Sequence, residues 1–447
     1  MEGQHAPAGE EDRPEDGVEE KGLRAEEQKP LAGTDEKTRT RLLALLSYGG
    51  LSDTAERTLA GAAEWGDEDW ENLRLTARRH GLTPLLYSRL KERLPAGTVP
   101  AKTMEALKTD FFTNAAAQMR RFHFLGRMLD AFRERGVPVI VLKGGWLAEA
   151  VYGDPALRTM DDVDLLVRRE DIKKADEVMA GAGCSLLESG LVASEGENEF
   201  HYRHRTTNTL IEMHWDLFLP IYPFAMTSEE VWAAAVPATI AGSGAFALTP
   251  EDMLLHVAIH ASNHCYDFGL KPLCDIAEML ARLQIDAETF LEKMERYRAV
   301  HAAGLPILLA HRLLGAQVPE AVLERLKREK PPEKLWAAAV EAVFLERPGR
   351  GKGEAVRPNM LLFMGRKSLG GKLRLALKKA FPPAKTVAVE FGLNPGSARV
   401  WLSYPRWIRK LYRENAAAIK GYFGGLARGR TAEPDDTASL MDWLMRS

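Results

Sequence analysis

The chain has little sulfur chemistry and no membrane signature. Three cysteines in 447 residues, Cys184, Cys265 and Cys274, are too few for a disulfide framework and stand at no metal-site spacing, which fits a reducing compartment. No apolar run reaches the roughly 18 residues that a membrane span requires. The opening residues carry no apolar stretch of the kind found in a secretory leader. These absences set the expectation of a cytoplasmic protein with no transmembrane segment. A formal net charge of −3 excludes a globally basic nucleic-acid binder. What is present is core-forming material: 45% of the residues are apolar, and the length exceeds what one core organises.

Charge and periodicity divide the chain. Residues 1–36 are rich in Glu, Asp, Gly and Pro with few large apolar side chains, the composition of a disordered acidic tail. Residues 37–135 carry helical patterns, from Leu42, Leu43, Leu45 and Leu46 to a long segment that Gly136-Val137-Pro138 ends. Residues 136–247 alternate short strands and helices: strands at Val137–Leu142 and Val163–Val167, a helix over Asp171–Ala182, then strands His201–Arg205 and Thr209–Trp215 joined by a Thr206-Thr207-Asn208 turn. Residues 248–345 are helical again, opening on Thr249-Pro250-Glu251-Asp252, with an N-cap Thr and Pro at the first helical position. Residues 346–447 form a basic C-terminal region, with Lys352–Arg430 strongly positive. The expected architecture is α+β: a small mixed β-sheet flanked by N-terminal and C-terminal helical regions.

One stretch, Val137 to Val167, carries the chemistry. After the apolar run, Gly144 and Gly145 open a helical pattern. A strand, a glycine turn and a helix N-terminus expose backbone N–H groups and a positive dipole end that favour phosphate. Asp162 and Asp164 follow two residues apart, so strand geometry points both to one face. Two hard oxygen ligands beside a phosphate cradle suit a magnesium-nucleotide site. Nucleotidyl transfer needs charge neutralised at a phosphoryl centre while pyrophosphate leaves, usually by two divalent ions held on three carboxylates. Glu212, alternating with Ile211 and Met213, offers the third; His214 and Asp216 share its face by parity. Lys143 is a candidate partner for triphosphate charge or a plain surface lysine, and Arg158 reaches a phosphate or pairs with Asp161.

These residues resemble the DNA polymerase β-type nucleotidyltransferase superfamily, whose mark is a Gly-Gly or Gly-Ser turn, Asp-x-Asp and a carboxylate on a later strand. More narrowly, Leu142, Lys143, Gly144, Tyr152, Asp154, Pro155, Arg158, Met160, Asp162, Val163, Asp164, Leu165, Leu166 and Val167, with Glu212-Met213-His214-Trp215 and the helical stretch Glu251–Leu280, are similar to an uncharacterised bacterial nucleotidyltransferase family. The likeness covers roughly residues 40–345. The connection from Tyr152 to Met160 is longer than in compact superfamily members and is shared by the narrower family.

The resemblance implies catalytic and metal-binding roles for Asp162, Asp164 and Glu212, and nucleotide contact by Lys143, Gly144, Gly145 and Arg158. It also implies a substrate wall from His214, His260, His264, Lys271 and Asp275. Two Mg2+ ions, a nucleoside triphosphate (ATP is the first choice) and an unidentified acceptor are the implied partners. His256, His260 and His264 share one helix face, but no HExxH occurs and a dedicated zinc site is not expected. In the basic C-terminal stretch, Trp401, Tyr404, Trp407 and Tyr412 interleave with Arg406, Arg409, Lys410 and Arg413. Such mixing serves nucleic acid or anionic membranes, or forms solvated helices whose aromatics pack inward; the last is the expectation. Two rivals to catalysis stay open: an inactive nucleotide- or metabolite-binding protein of the same fold, and a nucleic-acid binder using the basic region.

Overall fold

The computed structural model describes residues 34–49, 52–187, 198–219, 222–263 and 269–344, part of 377–398, and helices between 399 and 446. The acidic tail expected at 1–36 lies almost wholly outside them, as do His264 and Cys265.

Helices α1 (Glu36–Leu46), α2 (Asp53–Ala60), α3 (Asp67–Arg79) and α4 (Thr83–Arg93) lead into α5 (Ala101–Glu134). Their starts follow from side-chain caps: Asp35 accepts from the Thr38 amide and Ser52 from the Ala55 amide. In α5, Leu125, Met128, Leu129 and Phe132 are buried at the spacing of one helical face. Gly136, at φ +66°, ends that helix in the left-handed conformation.

The sheet region contains β1 (Ile140–Val141), α6 (Lys143–Ala150), β2 (Asp162–Leu166), α7 (Ile172–Gly181), β3 (Cys184–Leu186), β4 (Glu199–His204), β5 (Leu210–His214), α8 (Ser228–Ala234), β6 (Val236–Ile240) and β7 (Ser243–Ala247). Seven strands form one mixed sheet in the order β3-β4-β5-β2-β1-β7-β6. The β2–β5 and β1–β7 pairs run parallel and the others antiparallel. Period-2 alternation sorts the central strands into two faces. Val163, Leu165, Phe200, Tyr202, Ile211 and Met213 take one face, and none exceeds 1% exposure. Asp162, Asp164, Glu212, His214, His201 and Glu199 take the other, because Asp164 stands opposite Glu212, Glu212 opposite His201, and His214 opposite Glu199. The β4–β5 turn passes through Asn208 at φ +56°, a residue type that tolerates that region.

Beyond the sheet come α9 (Pro250–Asn263), α10 (Lys271–Arg282), α11 (Ala287–Arg296), α12 (Val300–Leu314), α13 (Glu320–Arg328), α14 (Glu333–Phe344), α15 (Arg399–Ala427) and α16 (Asp436–Leu444). Thr249 caps α9 as the sequence predicts, its hydroxyl accepting from the Asp252 amide. The helical regions and the sheet share one buried core, which α16 joins through Leu440, Met441 and Leu444. A separate small cluster unites Val387, Ala388, Val400 and Tyr404. Among the described residues, no helix is long and apolar enough to cross a membrane. The expected α+β class is the observed one.

Candidate active site

The site grows from the β1–α6 turn and the neighbouring strands β2, β5 and β4. The Leu142 amide donates to the Asp164 carbonyl at 3.0 Å, tying the turn to the strand that bears the aspartates. Lys143 then takes φ +37°, a conformation costly to a side chain and concentrated at functional sites. It brings Lys143 Nζ to 2.7 Å from Asp164 Oδ1, with Asp164 buried and Lys143 largely so. On the other side of Asp164, His214 Nε2 lies 3.2 Å from the same oxygen and 3.8 Å from Glu212 Oε2. His214 Nδ1 is 2.9 Å from Glu199 Oε2, an ion-pair distance although the angle falls short of a hydrogen bond. His201 Nε2 completes the row, 3.6 Å from Glu199 and 3.9 Å from Glu212.

Charge is distributed unevenly among these acids. Burial opposes ionisation of Asp164, but Lys143 and then His214 outweigh it and hold that carboxyl well below the usual carboxylate range. Burial, then the charge on Asp164, pushes Glu212 up to about 8, and the same two causes raise Asp162. His214 would lose its proton through burial, yet contact with Asp164 and then Glu199 raises it to about 9. Glu199 is pulled down to about 2, the His214 contact overcoming burial. Asp164, Glu212 and His214 each present a ligand atom within 4.8 Å of the others. This oxygen-rich set with one imidazole fits a divalent cation, and Asp162 adds a carboxylate on the same strand face.

The two glycines owe their identity to packing. Neither has positive φ; that conformation falls on Lys143. A Cβ at Gly144 would come within 2.7 Å of an Arg158 nitrogen and 2.9 Å of the Met160 sulfur, and one at Gly145 within 2.8 Å of a Val141 methyl. Both sit in the first turn of α6, where backbone amides have no partner inside the helix.

Arg158 is engaged by a carboxylate. Its Nε and Nη2 donate to the two oxygens of Asp275 at 2.8 Å each, and the Tyr152 hydroxyl donates to the same carboxylate at 2.9 Å. Arg158 and Asp275 are almost wholly buried. The long connection from Tyr152 to Met160 is thus pinned to α10, and Asp275 is the centre of that pin. Lys271 Nζ donates to the Thr159 carbonyl at 3.5 Å; burial, then the Arg158 charge, lowers its pKa, while Asp161, Asp275 and Asp162 partly restore it. His260 lies beside His256, ring centroids 6.3 Å apart. Sequence reasoning passed over Glu199 because the strand was read as starting at His201. The alternation Glu199-Phe200-His201-Tyr202 carried the signal.

The model of a family described as uncharacterised nucleotidyltransferases matches residues 66–315. Among curated proteins, none matches this chain. A solution structure of the antibiotic-resistance factor ANT(2'')-Ia is similar at 17% identity and a TM-score of 0.31, covering 44% of this chain and 98% of that one. A crystal structure of ANT(2'')-Ia in complex with adenylyl-2''-tobramycin is similar at 18% identity and a TM-score of 0.31, covering 40% of this chain and 97% of that one. At such TM-scores the likeness carries no argument. The family match is different in kind, since it runs over more than half of the 447 residues and takes in every member of the carboxylate cluster. The chain belongs to this nucleotidyltransferase family.

Proposed function

We propose that the protein transfers a nucleoside monophosphate from a nucleoside triphosphate, ATP first, to an acceptor in a magnesium-dependent reaction that releases pyrophosphate. The observation that carries this reading is the register of β2 against β5, which sets Asp164 opposite Glu212 with Asp162 on the same face. Four carboxyl groups (Asp162, Asp164, Glu199 and Glu212) gather around Lys143 and protonated His214, with His201 beside Glu199 and Glu212. Burial and crowding with Asp164 raise Asp162 and Glu212 despite these cations, which favours added positive charge. Asp162, Asp164 and Glu212 would hold the divalent ions, with His214 at hand. Bound there, the ions supply charge neutralisation at the triphosphate.

The chain's own groups do the rest. First-turn amides of Gly144 and Gly145 offer donors for phosphate oxygens, and Lys143 turns from Asp164 toward the incoming negative charge. The acceptor oxygen forms its bond to the α-phosphorus as the bond to the bridging oxygen breaks, and pyrophosphate departs with that electron pair. Glu212 either completes the ion site or, ionised and not bound to an ion, takes the acceptor's proton. Arg158 and Asp275 hold the connection that backs the turn.

The test is pyrophosphate release with ATP, GTP, CTP and UTP in the presence of a cell metabolite extract, with magnesium and with chelator. Release is expected only with magnesium, falling by on the order of 10³-fold or more in Asp162→Asn/Asp164→Asn with an unchanged circular dichroism spectrum. Unchanged turnover in that variant sinks the assignment. Thermal stabilisation by ATP and magnesium without release would instead assign a nucleotide-binding protein.

A further inference from the structure

The aromatics of the basic C-terminal region divide: Tyr404 is buried and Trp407 partly buried against a small cluster, while Trp401 and Tyr412 are exposed. Ten large apolar side chains are exposed among the described residues, and six of them, Leu377, Phe381, Trp401, Leu402, Ile408 and Tyr412, fall between 377 and 412. The first turns of α15 sort into three stripes at helical spacing. Val400, Ser403 and Tyr404 face inward onto Val387 and Ala388, and the Tyr404 hydroxyl donates to the Pro382 carbonyl. Trp401, Pro405, Ile408 and Tyr412 form a second stripe, all exposed. Leu402, Arg406, Arg409 and Arg413 form a third beside it, also exposed. Trp401 is 67% and Leu402 77% exposed. From Arg399 to Arg413 the sequence holds five basic residues and no acid.

We propose that this side of α15, over Arg399–Arg413, docks on an anionic lipid bilayer. A helix with an aromatic and aliphatic stripe bordered by arginines lies in the interfacial plane, its apolar residues in the headgroup boundary and its cations on lipid phosphates. Trp and Tyr are the side chains that favour that depth, since each joins an apolar ring to a polar atom. Nucleic acid matches the surface less well: aromatics stack on bases and arginines meet phosphates, but Ile408, Leu402 and Pro405 would gain no comparable burial there. The helix does not span a bilayer; the association is peripheral, and it is independent of the nucleotidyl-transfer chemistry.

Vesicle flotation of the full-length protein tests this, with phosphatidylcholine vesicles set against vesicles that also contain phosphatidylglycerol. Binding is expected to be about tenfold or more stronger on the anionic vesicles and weakened by high salt. Trp401→Ser/Ile408→Ser and Arg406→Glu/Arg409→Glu should each reduce it by about tenfold or more, with melting temperatures unchanged, while Arg406→Lys/Arg409→Lys retains it. Absence of binding to anionic vesicles at low salt overturns the proposal, as does binding that neither disruptive pair affects. So does either alternative occupant: single-stranded RNA bound through these residues by a protein that ignores vesicles, or a dimer that these substitutions dissociate.

Discussion

Lys143 combines an unusual backbone conformation with a buried ion pair, and the glycine after it is what permits the arrangement. At Gly144 a methyl group would press on the Arg158 fork and the Met160 sulfur. The fork is held by two hydrogen bonds to Asp275 and Met160 is buried in the core, so neither moves aside freely. Gly144→Ala is therefore expected to destabilise by about 1–3 kcal/mol through overpacking, although alanine is the better helix former. Urea denaturation at fixed magnesium reads the change as a lower midpoint with an unchanged slope. His256 supplies a residue-scale pH dependence. It is buried with neither ring nitrogen hydrogen-bonded, and burial, then Lys143 and His214, lowers it to about 3. Between that value and an unfolded value near 6.5 the unfolded chain binds the extra proton. Stability from neutral His256 is thus present above about pH 6.5 and is lost as pH falls, with a limiting slope of about 1.4 kcal/mol per pH unit from this group. The unfolding free energy of the wild type minus that of His256→Leu, followed from pH 7 to pH 4, should fall along that slope; a difference constant with pH would show that His256 is not held neutral.

At the scale of elements, the connection between α6 and β2 depends on a charge pair that it cannot lose singly. Asp275→Ala leaves the Arg158 guanidinium buried without its carboxylate, an expected loss of about 3–5 kcal/mol. Arg158→Met/Asp275→Leu removes both charges and should recover much of that loss, so a double-mutant cycle in urea reads a large coupling. Additive losses would contradict the bidentate pairing. This pair was only half legible in the sequence. Arg158 stood out as a charged residue between a proline turn and the aspartate strand, but Asp275 lies 117 positions further on, and no local periodicity joins residues at that distance. The strands β2 and β5 were legible because their acids alternate with fully buried Val163, Leu165, Ile211 and Met213, which fixes the face. Gly144-Gly145 was legible as the opening of a helix. Its physical reason, close packing with the left-handed residue one position earlier, depends on the Arg158 and Met160 side chains that approach it. β1 shows the opposite failure: the run Val137–Leu142 reads as a six-residue strand, yet only Ile140 and Val141 form the regular ladder, with single backbone bonds at Val139 and Leu142, while Val137 bonds back to Phe132 at the end of α5.

Across the whole molecule, composition groups residues 346–447 as one basic region, while packing divides it. The first turns of α15 have their own small cluster, whereas α16 returns to the main core. Leu440 and Met441 are fully buried there, Trp443 stacks on His301 at 4.2 Å between ring centroids, and His301 Nδ1 meets the Trp443 carbonyl at 3.1 Å. Apolar burial acts on the cooperative unit that contains it. If α16 belongs to the unit that carries the active site, a cavity at Leu440 must weaken that unit, despite the distance along the chain. Leu440→Ala is expected to cost about 2–5 kcal/mol, shifting a single unfolding transition to lower urea rather than splitting off a minor one. Leu402→Ala, the same chemical change on an exposed face, should stay within about 0.5 kcal/mol. A separate low-stability transition in the Leu440 variant, with the main midpoint unmoved, would show that α16 unfolds independently of the core.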